Sequence, residues 1–119
     1  MDMLPNYENA VIPIEKLTGY SLNYNHPKNR GKALAFELAL GFNLANYREL
    51  ITQVQEKLPL FKSVARGTNK FGHLYQVILT IDGVNNKQAE VLTAWIIEYG
   101  QKIPSLTSIY VTDKKGIKL

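Results

Sequence analysis

Apolar positions along the chain change their spacing at Pro59. Before this residue, apolar side chains recur every three to four positions, which is the period of an amphipathic helix. After it, they alternate or form short blocks rich in β-branched and aromatic residues, as strands do. Because proline removes a backbone donor and stops a helix, the pattern predicts helices over residues 13–58 and a sheet over residues 60–112.

Three helices are expected in the first half. Pro13 suits the first turn of a helix, and the polar stretch NYNHPKN that follows this helix is a break. Gly41 provides the C-cap that ends the next helix. A third helix begins after a cap at Asn43 or Asn46. The predicted helices cover residues 14–22 and 32–40, and the third runs from its cap at Asn43 or Asn46 to Leu58.

Four strands are expected in the second half, separated by the turn-forming segments NKFG, DGVNNK and GQKIP. Connections this short join antiparallel neighbours, so the strands should form a meander. Helices and strands that segregate along the chain are typical of an α+β fold, here with the N-terminal helices packed on one face of a roughly four-stranded antiparallel sheet. The predicted strands cover residues 60–67, 73–81, 88–99 and 105–112.

Length and composition are those of one folded domain. The chain has 119 residues, 45% of them hydrophobic, which is enough for a core and too many for a disordered chain. We expect a single domain over residues 1–119, with an N-terminal arm at 1–12 and a basic tail at 113–119. No apolar run reaches the roughly 18 residues of a membrane span, and the N-terminus lacks the features of a signal peptide. Together with the absence of cysteine, these patterns predict a cytoplasmic protein that does not contact a membrane, although a chain without cysteine also suits a domain released from a larger secreted protein. They leave its oligomeric state open.

Several kinds of catalytic site are excluded. The sequence has no cysteine and only two histidines, too few for a convincing metal site, and it has no glycine-rich phosphate loop or Gly-x-Ser-x-Gly nucleophile. We therefore expect no metal and no cofactor. Acid–base chemistry by His, Lys or Tyr side chains remains. The net charge of +4 favours an anionic partner, although many ordinary proteins are this basic.

The segment NHPKNRGKALAF places three cations, Lys28, Arg30 and Lys32, just before and within the start of a predicted helix. The helix macrodipole favours negative charge at this end, so cations here are locally unfavourable. They become favourable if a phosphate binds at the helix N-terminus, where free backbone N–H groups already attract anions. The pattern therefore predicts an anion site, with RNA as the candidate ligand. The alternative is a solvated basic face, which a helix tolerates at small cost.

The run LPNYENAVIPIEKLTGYSLNYNHPKNRGKALAFELALGF resembles a small bacterial family described only as a domain of unknown function. Its members read IPxxKLxxYxLNxxHPxGxxKAxxF followed by LG. The later stretches FGHLYQV, DGVNNKQAEVLTAWIIEYG and PSLTSIYV resemble further segments of the family, so the similarity spans nearly the whole chain. One departure is Asn29, which stands where the family has glycine. Asparagine tolerates the left-handed conformation better than other non-glycine residues, so the loop is expected to survive.

Members of this family occur alone or as C-terminal modules of phage-related or toxin-like proteins. Their order of helices followed by a meander is similar to that of the barnase, colicin tRNase and RelE-type toxin superfamily, whose members cleave RNA without metal. At the level of fold, the resemblance implies a metal-independent endoribonuclease toxin that a cognate antitoxin or immunity protein restrains. Because a fold does not determine a function, a non-catalytic module that binds RNA or a partner protein is the alternative.

Cleavage by 2′-hydroxyl attack needs a proton acceptor, a proton donor and charge stabilisation at phosphorus. His26 is a candidate for either proton-transfer role, and Lys32 for holding the phosphate oxygens. The structural alternative for His26 is a turn residue before Pro27. The predicted catalytic residues are His26, Lys32, Thr93 and Tyr110, of which the last two offer hydroxyl groups.

The predicted RNA-binding surface extends beyond this segment. Lys62, Arg66 and Lys70 recur every four positions along a predicted strand, where they either extend a basic groove or guard a sheet edge against aggregation. Trp95 is a candidate for stacking a base, although its apolar neighbours favour a core position. The predicted RNA-binding residues are Lys28, Arg30, Lys62, Arg66, Trp95 and Thr107.

Overall fold

The structure, a computed structural model, describes residues 2–112, so the predicted basic tail lies outside the described residues. Two helices, α1 (Arg30–Leu40) and α2 (Tyr47–Lys57), precede four strands: β1 (Ser63–Thr68), β2 (Gly72–Asp82), β3 (Gln88–Glu98) and β4 (Ser105–Thr112). The strands form one antiparallel meander in the order β1-β2-β3-β4, with the helices packed against it. This confirms the predicted α+β class. Short helical turns cover Tyr7–Asn9, Leu17–Ser21, Leu58–Leu60 and Val84–Asn86. No helix in the described range is long and apolar enough to cross a bilayer.

The first predicted helix, over residues 14–22, forms over residues 15–21. Its second part, Leu17–Ser21, has π-helical geometry, and the N–H of Leu22 donates to the carbonyl of Leu17 at 2.8 Å. Gly19 and the β-branched Thr18 in this part are weak helix formers. Leu17 and Ser21 are both buried, so packing against the rest of the fold stabilises the wider turn.

The other two helices differ from prediction mainly at their ends. α1 begins at Arg30, two residues before the predicted Lys32, and its cap Asn29 has a φ of −114° rather than a left-handed conformation. The glycine of the family pattern is therefore not needed here for its backbone freedom. Gly41 ends α1 in the predicted left-handed cap, with a φ of 74°. Of the two candidate caps for α2, Asn46 occupies the position.

The core lies between the helices and one face of the sheet. Strand register places Val77 opposite Thr93 and Thr93 opposite Ile109, so these side chains share a face. That face carries the buried strand residues, and α1 and α2 cover it with Phe36, Leu40, Leu50 and Val54. The N-terminal arm belongs to this packing as well, since Leu4 is buried in the same cluster.

Two contacts join the helices to the ends of the strands. A Cβ atom on Gly83 would lie 2.3 Å from the carbonyl oxygen of Leu40, so only glycine lets the β2–β3 connection approach the end of α1. From α2, Lys57 Nζ lies 3.0 Å from a carboxylate oxygen of Asp82 and donates to the carbonyl of Thr80 at 2.7 Å. These contacts fix both helices relative to the sheet.

Candidate anion-binding cleft

A polar cleft of about 250 Å³ lies where the turn Leu17–Ser21, the N-terminus of α1 and the edge strand β4 meet. Two of the side chains that line it are lysines, and none of them is acidic. The cleft therefore offers donors and positive charge on several sides of a small space. The lining side chains are Lys16, Tyr20, Ser21, Asn29, Lys32, Thr107 and Ser108.

The β4 wall of the cleft is shaped by a β-bulge. Ala94 pairs with Ser108 and Trp95 with Leu106, which leaves Thr107 as the extra residue. Bulges disrupt the alternation of a strand and re-aim its side chains. Here the bulge allows two consecutive residues, Thr107 and Ser108, to line the same cleft.

Two hydrogen bonds hold this stretch of β4 on either side of the bulge. The N–H of Leu106 donates to the carbonyl of Val11 at 2.9 Å, where the N-terminal arm makes a parallel bridge to β4. On the other side, the buried Ser21 hydroxyl donates to the carbonyl of Ile109 at 2.6 Å. Because partners distant in sequence hold both ends, the β4 wall is positioned by tertiary structure.

The opposite wall combines cations with aromatic rings. Lys16 and Tyr20 are four residues apart, and Lys16 Nζ lies 5.5 Å from the centre of the Tyr20 ring. The imidazole of His26 packs on the same ring, with centroids 5.4 Å apart. His26 does not line the cleft itself; it lies behind Tyr20 and beside Asn29.

Hydrogen bonding selects one tautomer of His26. Its Nδ1 accepts from the backbone N–H of Lys28 at 3.2 Å, and the Asn29 side-chain nitrogen lies 3.4 Å from the same atom. In the neutral imidazole, an Nδ1 that accepts leaves Nε2 carrying the hydrogen. His26 therefore presents Nε2–H as a donor. To act as a general base through Nε2, the ring would have to give up its bond to Lys28.

The start of α1 contributes Asn29 and Lys32. Asn29 lines the cleft and is only 8% exposed; its side chain makes no capping bond to the helix, and its amide nitrogen lies against His26. Lys32 lines the same cleft and lies over the ring of Tyr110, with Nζ 5.4 Å from the ring centre. Four predicted residues, His26, Lys32, Thr107 and Tyr110, are thus brought into or next to one site.

Two other predicted residues belong to the core. Trp95 and Thr93 are both fully buried, the Trp95 indole N–H donates to the Thr93 hydroxyl at 2.8 Å, and that hydroxyl donates to the carbonyl of Val77. Neither side chain can reach a ligand in this fold. The structure corrects both assignments. Trp95 fills the core, and Thr93 lies beside it and accepts the hydrogen bond of the indole N–H, which is the only polar group of the Trp95 side chain.

The remaining predicted cations do not converge on the cleft. Lys62 and Arg66 lie on or next to β1, at the opposite edge of the sheet from β4. Three strand spacings separate these edges, about 14 Å. Arg30 turns away from the α1 N-terminus, donating from Nε to the carbonyl of Tyr24 at 3.2 Å, and Lys28 is exposed on the loop. Of the three cations in NHPKNRGKALAF, only Lys32 lines the cleft.

Five residues of the cleft were missed in the sequence: Lys16, Tyr20, Ser21, Asn29 and Ser108. A usable signal existed for the first two, which occupy the K and Y positions of the pattern IPxxKLxxYxLNxxHPxGxxKAxxF. The apolar letters of that pattern, such as Leu17 and Phe36, are buried in the core. Its polar letters at Lys16, Tyr20, His26 and Lys32 lie at the cleft or directly behind it. No local signal marked Ser108, because the bulge depends on pairing with β3.

The arrangement can bind an anion through ammonium, hydroxyl and amide donors. Among residues 2–112, no group of three or more metal-ligating side chains is placed to hold a metal ion. The chemistry available to these residues is therefore hydrogen bonding, charge neutralisation and proton transfer.

Comparison with known proteins locates the chain in one family. Neither a curated protein nor a solved structure matches it. A family model matches residues 3–113, which agrees with the family resemblance seen in the sequence and gives no link to ribonuclease toxins. The chain therefore belongs to the family described as a domain of unknown function, DUF6883.

Proposed function

We propose that the polar cleft binds a phosphodiester of RNA and cleaves it without a metal ion. The observation that carries this proposal is the convergence of Lys16, Lys32 and the Ser108 hydroxyl on one cleft of about 250 Å³, next to Thr107, whose hydroxyl donates to the carbonyl of Ala94 at 3.2 Å. A phosphate needs positive charge and several donors at once, and these groups supply both. The cleft lies at the β4 edge of the sheet.

In this reaction the ribose 2′-oxygen attacks phosphorus while the bond from phosphorus to the 5′-oxygen breaks. The products are a 2′,3′-cyclic phosphate and a 5′-hydroxyl. Lys16 and Lys32 offset the charge that builds up on the non-bridging oxygens. The 2′-hydroxyl loses its proton to solvent, and the departing 5′-oxygen takes a proton from His26. To supply that proton, the ring must first be protonated at both nitrogens, which breaks the bond from the Lys28 N–H to Nδ1, and it must turn past Tyr20 into the cleft.

The same proposal includes a biological setting. The order of helices followed by a meander, which is similar to that of ribonuclease toxins, is the ground for a toxin restrained by a cognate antitoxin or immunity protein. RNA is then the substrate and the restraining protein is the second partner. Expression of the chain alone should arrest bacterial growth, and co-expression of the neighbouring gene should relieve the arrest.

A direct assay tests the chemistry. A single-stranded RNA labelled at its 5′ end is incubated with the purified protein in the presence of EDTA, and the products are examined for 2′,3′-cyclic phosphate ends. Lys32→Gln and Lys16→Gln should each reduce cleavage. Lys62→Gln, a cation at the far edge of the sheet, is the matched control and should leave the rate unchanged. Full activity in both cleft variants would overturn the proposal.

A second function is favoured by the tautomer of His26. A histidine that presents Nε2–H suits binding of a phosphate better than removal of a proton. The alternative is therefore a non-catalytic module that holds RNA in the same cleft. Binding of the labelled RNA without any cleavage, together with loss of binding in Lys32→Gln, would select it.

A further inference from the structure

The outward face of α1 exposes two leucines, whereas that of α2 exposes no apolar side chain. Leu34 and Leu38, one helical turn apart, are 44% and 67% exposed, and they lie among the exposed residues Arg30, Gly31 and Glu37. On α2 the exposed positions are all polar: Arg48, Glu49, Thr52, Gln55 and Glu56. The outer face of a surface helix is normally polar, so the two leucines of α1 are the part of it that a partner would cover.

A groove of about 650 Å³ runs beside this face. Its walls are α1, the loop around Tyr24 and the loop that leads into α2, and its lining includes Leu22, Tyr24, Leu34 and Leu44. Three of these side chains are largely exposed. The groove is separate from the polar cleft, because no residue lines both. We refer to it, together with Leu38, as the apolar groove.

Two cations lie beside the apolar groove, although neither is among its lining residues. Arg30 lies over the ring of Tyr24, with its guanidinium carbon 5.1 Å from the ring centre. Beyond Leu38, Lys87 Nζ donates to the carbonyl of that residue at 3.3 Å. The one carboxylate in the lining, Glu37, accepts a hydrogen bond from the Asn43 side chain at 3.0 Å. An occupant that places apolar side chains in the groove and acidic ones beside it would be complementary.

We propose that the apolar groove docks an acidic amphipathic helix of a protein partner. Leucine or isoleucine side chains at helical spacing on that helix fill the space between Leu34 and Leu44, and its flanking Asp or Glu side chains pair with Arg30 and Lys87. A second copy of this chain is disfavoured because the chain is basic overall and cations lie beside the groove. A membrane surface is disfavoured because the site is concave.

Peptide binding tests the proposal. The probe is a helical peptide of about 18 residues, roughly five turns, with a leucine stripe and Asp and Glu on its flanks. The control peptide has Lys in place of every Asp and Glu. Affinity is measured by fluorescence anisotropy, and amide chemical shifts locate the contact. The acidic peptide should bind with shifts confined to the neighbourhood of Leu34, Leu38 and Leu44, and the basic peptide should bind at least about tenfold more weakly.

Matched variants identify which residues contribute to the affinity for the peptide. Leu38→Gln should weaken binding of the acidic peptide by about tenfold or more, and Lys87→Gln should weaken it several-fold in low salt. Leu60→Gln replaces a leucine of similar exposure on the turn after α2 and should change nothing. Because both leucines are exposed, neither substitution should lower Tm, so a loss of binding is not a loss of fold.

Four outcomes would overturn the proposal. They are no binding of the acidic peptide, equal binding of the acidic and basic peptides, a concentration-dependent dimer in sedimentation that Leu38→Gln abolishes, and binding to anionic phospholipid vesicles that Leu38→Gln abolishes. Cleavage of RNA plays no part in the readout, so the result stands apart from the function proposed for the polar cleft.

Discussion

The imidazole of His26 packs on the phenol ring of Tyr20, with centroids 5.4 Å apart and planes inclined at 46°. Tyr20 lines the polar cleft and His26 does not, so this contact couples the His-Pro turn to the site. The bond from the Lys28 N–H to Nδ1 fixes the ring from the other side. A histidine held in this way has a defined donor, Nε2–H. A substitution can remove this donor and still keep the contact that Nδ1 makes in the turn.

His26→Asn separates these two roles. The Asn side-chain oxygen can accept the Lys28 N–H as Nδ1 does, so the turn and Tm should be preserved, while the Nε2–H donor is lost. If His26 transfers a proton, RNA cleavage should fall by about 10²- to 10⁴-fold. The measurement is the single-turnover cleavage rate alongside a thermal melt.

His73→Asn is the control for this change. His73 lies on β2 at the edge of the Tyr99 ring, with centroids 5.4 Å apart, and it does not line the cleft. The His73→Asn variant should cleave RNA at the wild-type rate. An His26→Asn variant that retains full activity would remove His26 from the mechanism.

Lys16 and Lys32 should set the salt dependence of RNA binding. Each neutralised phosphate of a single strand contributes about 0.7 to the slope of log affinity against log salt concentration. Lys16→Gln and Lys32→Gln should each weaken binding at low salt and flatten this slope by about that amount. Arg66→Gln, at the opposite edge of the sheet, should leave both quantities as they are. A titration across salt concentrations gives the slope, and equal slopes in all variants would refute the role of the cleft.

Gly83 should be intolerant of any side chain. A Cβ atom there would lie 2.3 Å from the Leu40 oxygen and 2.7 Å from its Cα, both backbone atoms that no rotamer change can move. Gly83→Ala should therefore cost on the order of 1–3 kcal/mol in the free energy of unfolding. Gly31→Ala is the contrast, since a Cβ there meets nothing within 4 Å and lies in α1. It should be neutral or stabilise by up to about 1 kcal/mol. Chemical denaturation of both variants is the test.

The contacts of Asp82 should make stability depend weakly on pH. Hydrogen bonds from Gln88 and Lys57, together with the Lys57 charge, hold the pKa of the Asp82 carboxyl below its usual range. A pKa that is lower in the folded than in the unfolded state gives stability that is present above the unfolded value, near 3.9, and is lost as pH falls through the folded value.

Thermal melts of Asp82→Asn against wild type check this sign. The variant should have a slightly lower Tm at pH 7, and the difference should shrink as the pH drops below about 4. The effect is small because the carboxylate is exposed to solvent and the pair is screened. Glu56→Gln, an exposed acid on α2, should show no such convergence with wild type. A difference that grows toward acid pH would contradict the assignment.

The sequence by itself determined the α+β class, the meander and most element boundaries. The period change at Pro59, the turn segments and the Gly41 cap are local signals that act within a few residues, and the strand Ser105–Thr112 was predicted with its observed ends. The first helix was also predicted in place, over residues 14–22 against the observed 15–21. Its π-helical geometry at Leu17–Ser21 was not predicted, because Leu17 and Ser21 make contacts with distant parts of the fold there.

Only the tertiary structure decided which polar residues share a site. Lys16 and Thr107 are far apart in the sequence and line the same cleft. A bulge in β4 re-aims Thr107, and the helical segment over residues 15–21 carries Lys16. Thr93 and Thr107 look alike in sequence, yet strand register buries one beside Trp95 and leaves the other in the cleft. Register and bulges arise from pairing between strands, and a one-residue shift moves every side chain to the other face. Periodicity along the chain predicts the elements, and the pairing between them decides which hydroxyls and cations meet.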